Sequence, residues 1–342
     1  MGNLTEKVHV LGLSFIEFSG SEPEKLRKIF DKTGLNEFSW MDDSNVTLHV
    51  NGGVRFISNP TAHPPLQRFR NVHGRGVSAI AFMVDDSEHA FALALRNGAE
   101  RAESAFYGLR AIKGVGESFI YFIDAEEEQA LLKRFSFFQQ LKGQTNYLKI
   151  DHLTHNLFPG GIQRYKDFYN RLFGFTSLRS FDINGAKTGL ISEVVANESR
   201  TVIIPLNETK DDKSQIAEYL RDYGGEGVQH IALLSANLEK VVEELSAAGI
   251  EFQDTPDTYY DLLDARLPDH KESVEILRKH RILLDGGEKQ GGGYLLQIFT
   301  KNSIGPIFFE FIQRKGNDGF GEGNFQALFE SIELDQERRG VI

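Results

Sequence analysis

The sequence predicts an α+β protein built as two tandem domains, each an open, curled sheet barrel flanked by helices. Three observations carry this prediction. "GRGVSAIAFMVDDSEHAFALALRNGAE" (74–100) and "GEGVQHIALLSANLEKVVEELSAAGIE" (225–251) share one pattern: a Gly-x-Gly-Val turn, an apolar strand, a helix of about three turns and a glycine stop. Ala79 and His230 each stand nineteen residues before that glycine, Gly98 or Gly249. "VLGLSFIEF" (10–18) lies against "IDHLTHNLF" (150–158), and "SFIYFID" (118–124) against "IFFEFIQ" (307–313). The same order of elements in both halves indicates a duplicated domain. Strand–helix–strand units with antiparallel closure suggest sheets that curl around a cavity.

In chain order, the apolar stretches 10–18 and 150–158 each read as a strand followed by a helical segment ending near a glycine. Between the halves, "DAEEEQALLKRFSFFQQLKGQTNY" (124–147) passes from an acidic run through an apolar helix-like piece to a polar exit. The boundary is expected near Gly143, giving domains 1–143 and 144–342. "DGGEKQGGGY" (285–294) reads as a hairpin-like connection rather than a nucleotide site. Gly319, Gly321 and Gly323 read as hinge and turn residues, since no strand-to-helix context or P-loop lysine accompanies them. In the tail, Phe325, Leu328, Phe329 and Ile332 form one apolar helix face. Asn324 is a candidate N-cap, and Gly340 after Arg338–Arg339 is a candidate helix end.

Composition narrows the function classes. The chain has 342 residues, 40% hydrophobic and 25% charged, which fits a folded soluble protein. A net charge of −11 disfavours nucleic acid and anionic membrane as general partners. With no cysteine, disulfides, thiolate metal sites and cysteine nucleophiles are excluded. No apolar run approaches the roughly 18 residues that would suggest a membrane span. "MGNLTEKVHV" lacks the regions of a secretion signal, and Glu6 breaks the myristoylation pattern, so a cytoplasmic location is expected.

The informative positions are those where the halves agree in pattern and disagree in chemistry. Gly12 faces His152, Ala79 faces His230 and Tyr121 faces Glu310 in the alignment. Only the second half offers metal ligands at these places. In "DHLTHN" (151–156), His152 and His155 are three apart, so on a strand they point to opposite faces. A lone strand histidine is ordinarily a hydrogen-bonded structural residue. Glu310 is different: a carboxylate inside the apolar strand "GPIFFEFIQR" needs a cation, either a basic residue such as Arg314 or a metal. Two histidines and a carboxylate form the facial triad of non-haem Fe(II) oxygenases, and the same set can hold Zn²⁺ or Mn²⁺. His9, His49, His63, His73, His89, His270 and His280 have no such partners and read as surface or structural residues.

"IDHLTHN", "IPLNE", "GEGVQHIALLS", "DTYY", "ILLDG", "LLQIFTK", "FFEFIQRKG" and "GFGEGNFQALFESIELDQERRGV" resemble, in order and spacing, the 4-hydroxyphenylpyruvate dioxygenase family of the vicinal-oxygen-chelate superfamily. The resemblance covers nearly the whole chain and is densest from about residue 148 onward. It implies two tandem vicinal-oxygen-chelate domains of βαβββ repeats, the first diverged and metal-free, with Fe(II) held by His152, His230 and Glu310. His155 and Asp151 would then face away from the metal. By match to family positions, Ser192, Asn207, Gln215, Gln229 and Gln297 would line the pocket and orient the substrate. Gln229 adjoins His230 on a strand and should point the opposite way, which suits an indirect role equally well. Phe299, Phe308 and Phe325 would supply aromatic walls, and the tail helix a lid.

The activity implied is Fe(II)-dependent conversion of 4-hydroxyphenylpyruvate and O2 to homogentisate and CO2 in tyrosine catabolism. A 2-oxo acid can chelate iron through its carboxylate and ketone oxygens, leaving one position for dioxygen. Two alternatives share the fold: 4-hydroxymandelate synthase, which hydroxylates the benzylic carbon, and a non-catalytic metal- or ligand-binding member of the superfamily. The implied partners are a small-molecule substrate, O2 and further copies of the chain, as a homo-oligomer (dimer or tetramer), rather than nucleic acid or membrane.

Overall fold

The computed structural model describes residues 6–43, 45–104, 106–135, 146–184, 189–324 and 326–328. Among them, two sheets of eight strands repeat one topology. The first contains β1 (Val10–Gly20), β2 (Asn36–Ser39), β3 (Thr47–Asn51), β4 (Val54–Ser58), β5 (Arg75–Val84), β6 (Arg101–Ala102), β7 (Arg110–Lys113) and β8 (Phe119–Ile123). Their order across the sheet is β2-β3-β4-β1-β5-β8-β7-β6. The second contains β9 (Tyr147–Leu157), β10 (Thr176–Asn184), β11 (Gly189–Ala196), β12 (Ile203–Thr209), β13 (Gly227–Ser235), β14 (Leu283–Gly286), β15 (Tyr294–Phe299) and β16 (Phe308–Lys315). Its order is β10-β11-β12-β9-β13-β16-β15-β14, the same arrangement moved along the chain.

In each sheet the two long central strands, β1 with β5 and β9 with β13, run antiparallel. Each also pairs in parallel with the last strand of its own βαβββ unit, and a parallel pair needs a crossover connection. Helices Pro23–Lys32, Ser87–Arg96, Gly161–Phe173 and Leu238–Ala247 supply it. The repetition extends to helix ends. Asp86 accepts a hydrogen bond from the His89 backbone at 2.8 Å, and Asn237 one from that of Lys240 at 3.0 Å. Each such cap stabilises its helix by about 1 kcal/mol. Gly98 and Gly249, at φ +83° and +80°, turn the chain in the left-handed region after the same two helices.

Alternation along the strands divides the core in two. Ile80, Phe82, Ile120 and Phe122 of the first sheet join Leu153, Ile231, Phe309 and Phe311 of the second in one shared core. Phe56 and Phe309 stack across it with centroids 6.0 Å apart, and the Tyr147 hydroxyl donates to the Thr33 carbonyl at 2.7 Å. His73 stacks on Tyr223 at 4.2 Å and bonds its carbonyl through Nδ1 at 2.8 Å, a structural role. The opposite face of the first sheet encloses a second cluster that includes Phe15, Trp40, Leu48, Ile57, Ala79, Ala81, Phe106 and Tyr121.

The pairing register corrects one alignment. Ala81 pairs with Tyr121 and Phe15, whereas Ala232 pairs with Glu310 and His152. The place of His152 is therefore taken in the first half by Phe15, not Gly12. A bulge between Leu13 and Phe15 interrupts the register, and apolar strands of this kind can be slid by a few residues without a visible mismatch.

The 285–294 stretch is a hairpin, with Leu283 paired to Gln297 and Gly286 to Tyr294. Asn324 lies inside a helical turn rather than at its start, so the expected N-cap is not there. The boundary residue Gly143 falls outside the described residues, as do Phe325, Phe329, Ile332, Arg338, Arg339 and Gly340. Among the described residues, no helix is long and apolar enough to cross a membrane.

Candidate active site

The inner face of the second sheet surrounds a cavity of about 440 Å³. At its base, β9, β13 and β16 bring His152, His230 and Glu310 together, with one ligand atom from each lying within 4.8 Å of the others. Glu310 Oε2 is 3.1 Å from His152 Nε2 and 3.5 Å from His230 Nε2. The other oxygen, Oε1, accepts from Gln297 Nε2 at 2.9 Å, so a neutral amide holds the carboxylate with one oxygen turned to both imidazoles. Arg314, the other cation considered for Glu310, is instead committed to Asp151.

The second nitrogen of each imidazole is occupied, which fixes the ring. His152 Nδ1 donates to Asp151 Oδ2 at 2.9 Å. His230 Nδ1 faces Gln229 Oε1 at 3.0 Å, and an amide oxygen can only accept, so the proton sits on Nδ1 and Nε2 keeps its lone pair. Thr154 Oγ1 stands 2.9 Å from that Nε2. Both arrangements present Nε2 toward Glu310, the donor geometry a bound metal requires. Two imidazoles and one carboxylate, on three strands and facing a cavity, fit a divalent metal with open positions for ligands.

Burial disfavours charge on His152, but the hydrogen bonds to Asp151 and Glu310 outweigh it and hold its pKa up at about 9. His152 Nε2 and Glu310 Oε2, 3.1 Å apart, face the place where a metal would sit, so a metal bound there would compete with a proton on His152. Burial, reinforced by cationic His152, pushes His230 well below the usual imidazole range, so it stays neutral. Burial alone would raise Asp151, yet Arg314 and His152 draw it far below the ordinary carboxylate range.

Two strand irregularities build this geometry. A register shift between Val228 and His230 leaves Gln229 in a bulge, where strict alternation fails. Gln229 and His230 consequently both line the cavity, against the expectation that Gln229 points away. A second shift brackets Asp151, which sits off the ligand position but holds His152 directly. His155 faces elsewhere, as expected: it is buried against the Tyr169 hydroxyl at 3.0 Å, and burial lowers its pKa to about 4.

Of the residues singled out in the sequence, Ser192, Asn207, Gln215, Gln229, Gln297, Phe299 and Phe308 all line the cavity, and Phe325 lies outside the described residues. Ser192 and Asn207 are register partners on β11 and β12. Phe308 stacks on His230 at 4.9 Å and meets Phe299 edge-on at 6.1 Å, forming an aromatic corner beside the ligands. The sequence reading missed Thr154, Gln253 and Phe320; Phe320 meets the His152 ring edge-on at 5.5 Å. A hydroxyl or amide that faces a ligand only through folding leaves no spacing signal. Elsewhere, Glu239, Glu243 and His280 also cluster, but at the surface, where Lys279 reaches Glu243 at 3.3 Å.

Comparison with known proteins agrees with this arrangement. Residues 5–138 match a family model described as hydroxyphenylpyruvate dioxygenase, N-terminal. Residues 149–266 match the glyoxalase/bleomycin resistance protein/dioxygenase superfamily. A 4-hydroxyphenylpyruvate dioxygenase of Legionella pneumophila is 44% identical over 97% of this chain and 96% of its own length. One from a Pseudomonas species is 42% identical over 97% of each. Among solved structures, a mutant of 4-hydroxymandelate synthase from Streptomyces coelicolor aligns with a TM-score of 0.81 at 25% identity, covering 96% of this chain and 99% of that one.

Proposed function

The chain belongs to the 4-hydroxyphenylpyruvate dioxygenase family, and we propose that it converts 4-hydroxyphenylpyruvate and O2 to homogentisate and CO2 in tyrosine catabolism. The observation that carries this reading is the His152–His230–Glu310 set opening onto a cavity lined by phenylalanines and neutral polar side chains. In this reading residues 1–143 are the diverged, metal-free domain and 144–342 the catalytic one. The metal is Fe(II), held by His152 Nε2, His230 Nε2 and a Glu310 oxygen. Bound there, it supplies the electron chemistry of oxygen activation and oxidative decarboxylation.

The chain's own residues do the rest. Phe299 and Phe308 confine the aromatic ring, since two phenyl faces near 80° apart leave a slot for a third. Ser192, Asn207 and Gln215 offer hydrogen bonds without charge, which suits a phenolic oxygen far from the metal. Gln229 and Gln297 orient His230 and Glu310 respectively. The apolar walls exclude water from the reacting centre. A cavity of about 440 Å³ suits an aromatic oxo acid of this size. A cytoplasmic homo-oligomer is the expected working form, and light scattering reads its mass.

The test is oxygen uptake with product identification, using Fe(II), a reductant and 4-hydroxyphenylpyruvate. Homogentisate with one CO2 per O2 supports the reading. Hydroxymandelate would move the chain to the synthase, whose fold it resembles. Stoichiometric iron binding without uptake would make it a binding protein.

A further inference from the structure

One side chain reaches both the candidate metal centre and the segment leading toward the tail. Arg314 lies four residues beyond Glu310 on β16 and is largely buried, its side chain 16% exposed. Its Nε and Nη2 donate to Asp151 Oδ1 and Oδ2 at 2.9 and 2.7 Å, a bidentate pair. That carboxylate is the one holding His152 Nδ1. The remaining arm, Nη1, donates to the backbone carbonyls of Asn317 at 3.0 Å and Gly319 at 2.7 Å. Phe320, which packs against His152, lies 5.8 Å from the same guanidinium.

Glu310 has a matching connection. Gln297, which donates to Glu310, accepts from Asn324 Nδ2 at 2.8 Å. Gly321 rests so closely on the Gln297 amide that a Cβ there would overlap its oxygen. Asn324 is anchored in turn by the Tyr259 hydroxyl at 2.7 Å. Two of the three candidate ligands are thus each tied to residues 317–324 through one or two intervening side chains.

We propose that Arg314 is a positioning residue that couples metal binding at His152 to the seating of residues 317–324 over the cavity. This rests on the metal reading given above. A guanidinium is a rigid planar fork whose donors cannot be re-aimed one at a time. Turning the His152 ring moves Asp151, tilts that plane and misaligns Nη1 from the Asn317 and Gly319 carbonyls. The coupling is reciprocal: whatever lifts the segment weakens metal binding by the same factor. Lysine cannot substitute, because a single ammonium does not span both partners in this geometry.

The test uses the full chain freed of metal, titrated with Co(II) and followed by visible absorption, with hydrogen exchange of residues 316–324 measured by mass spectrometry. In the wild type, Co(II) should bind at one site and slow exchange in that segment. Arg314→Met should lower Co(II) affinity on the order of ten- to hundredfold. It should also speed exchange and shrink its response to Co(II) to what the Gln297–Asn324 link still carries, and Arg314→Lys should not restore either. Asp151→Asn leaves the Arg314 bonds to the backbone, so its segment should exchange like the wild type without metal yet respond less to Co(II). Wild-type affinity in folded Arg314→Met, or an undiminished Co(II) response in it, overturns the coupling and leaves the metal reading intact. Should Arg314→Met fail to fold, a wild-type Co(II) response in Asp151→Asn overturns it instead. A wild type that binds no Co(II) removes both.

Discussion

Phe15 and His152 occupy the same node in two sheets of identical strand order: Phe15 stands opposite Ala81, His152 opposite Ala232. The neighbouring nodes carry Ala79 and Tyr121 in the first sheet, His230 and Glu310 in the second. In the first half Phe15 packs against Phe106 and Tyr121, each at 6.3 Å, and side chains fill this node, leaving a cavity of about 300 Å³ only farther out, beside Trp40, Val46 and Tyr107. In the second half the same space remains a cavity with three donors at its base. Each interior also holds a buried carboxyl group. Glu310 faces two imidazoles, whereas Glu17 is held by neutral donors, Ser78 Oγ at 2.7 Å, Asn59 Nδ2 at 2.9 Å and the Tyr121 hydroxyl, with Arg70 acting on it only through its charge. Burial accordingly pushes Glu17 up to about 7. The backbone supplies the nodes; the residues on them decide between a packed interior and a reaction chamber.

The comparison breaks most completely at Glu310. Glu310→Ala should reduce oxygen uptake to background and leave under about a tenth of the wild-type metal content in the purified protein. Near-normal turnover would remove Glu310 from the ligand set. Phe15→Ala tests the other side of the same node. It should cost about 3–5 kcal/mol of folding stability in urea titration while folded molecules keep their turnover. Lost activity at unchanged stability would mean that the first interior does more than pack.

Glu17 sharpens the comparison by pH. An unfolded glutamate titrates near 4.5 and this one near 7, so between those values the folded state binds the extra proton. Stability must therefore decline as pH rises through that window and level off above it. Glu17→Gln should flatten this slope, a difference of up to about 3 kcal/mol between pH 5 and 8 in paired denaturation curves. A variant with the wild-type slope would assign the proton elsewhere.

Much of this was legible along the chain because it is local. The turn–strand–helix–glycine pattern shared by 74–100 and 225–251 records spacing, and spacing survives translation into caps at Asp86 and Asn237. The candidate ligands His152, His230 and Glu310 stood out as positions where the second half differs in chemistry from the first. What sequence could not reveal were departures from ideal alternation and contacts across long separations. The bulge at Gln229 turns a side chain that alternation aims outward into one that lines the cavity. The bulge near Leu13 hid Phe15 behind Gly12. Arg314 lies four residues from Glu310 and serves Asp151 instead, a choice that depends on β9 lying across the sheet.

The core shared by the two sheets also has a consequence for how the protein is made. Ile80, Phe82, Ile120 and Phe122 are complete when β8 leaves the ribosome, yet Phe309 and Phe311, which help to cover that face, come almost two hundred residues later. At bacterial-to-eukaryotic synthesis rates the wait is roughly ten to forty seconds. During it the nascent chain displays an apolar surface that Leu153 and Ile231 can cover only in part, so its yield in the cell should depend on chaperone supply and elongation speed, quantities that catalysis never touches.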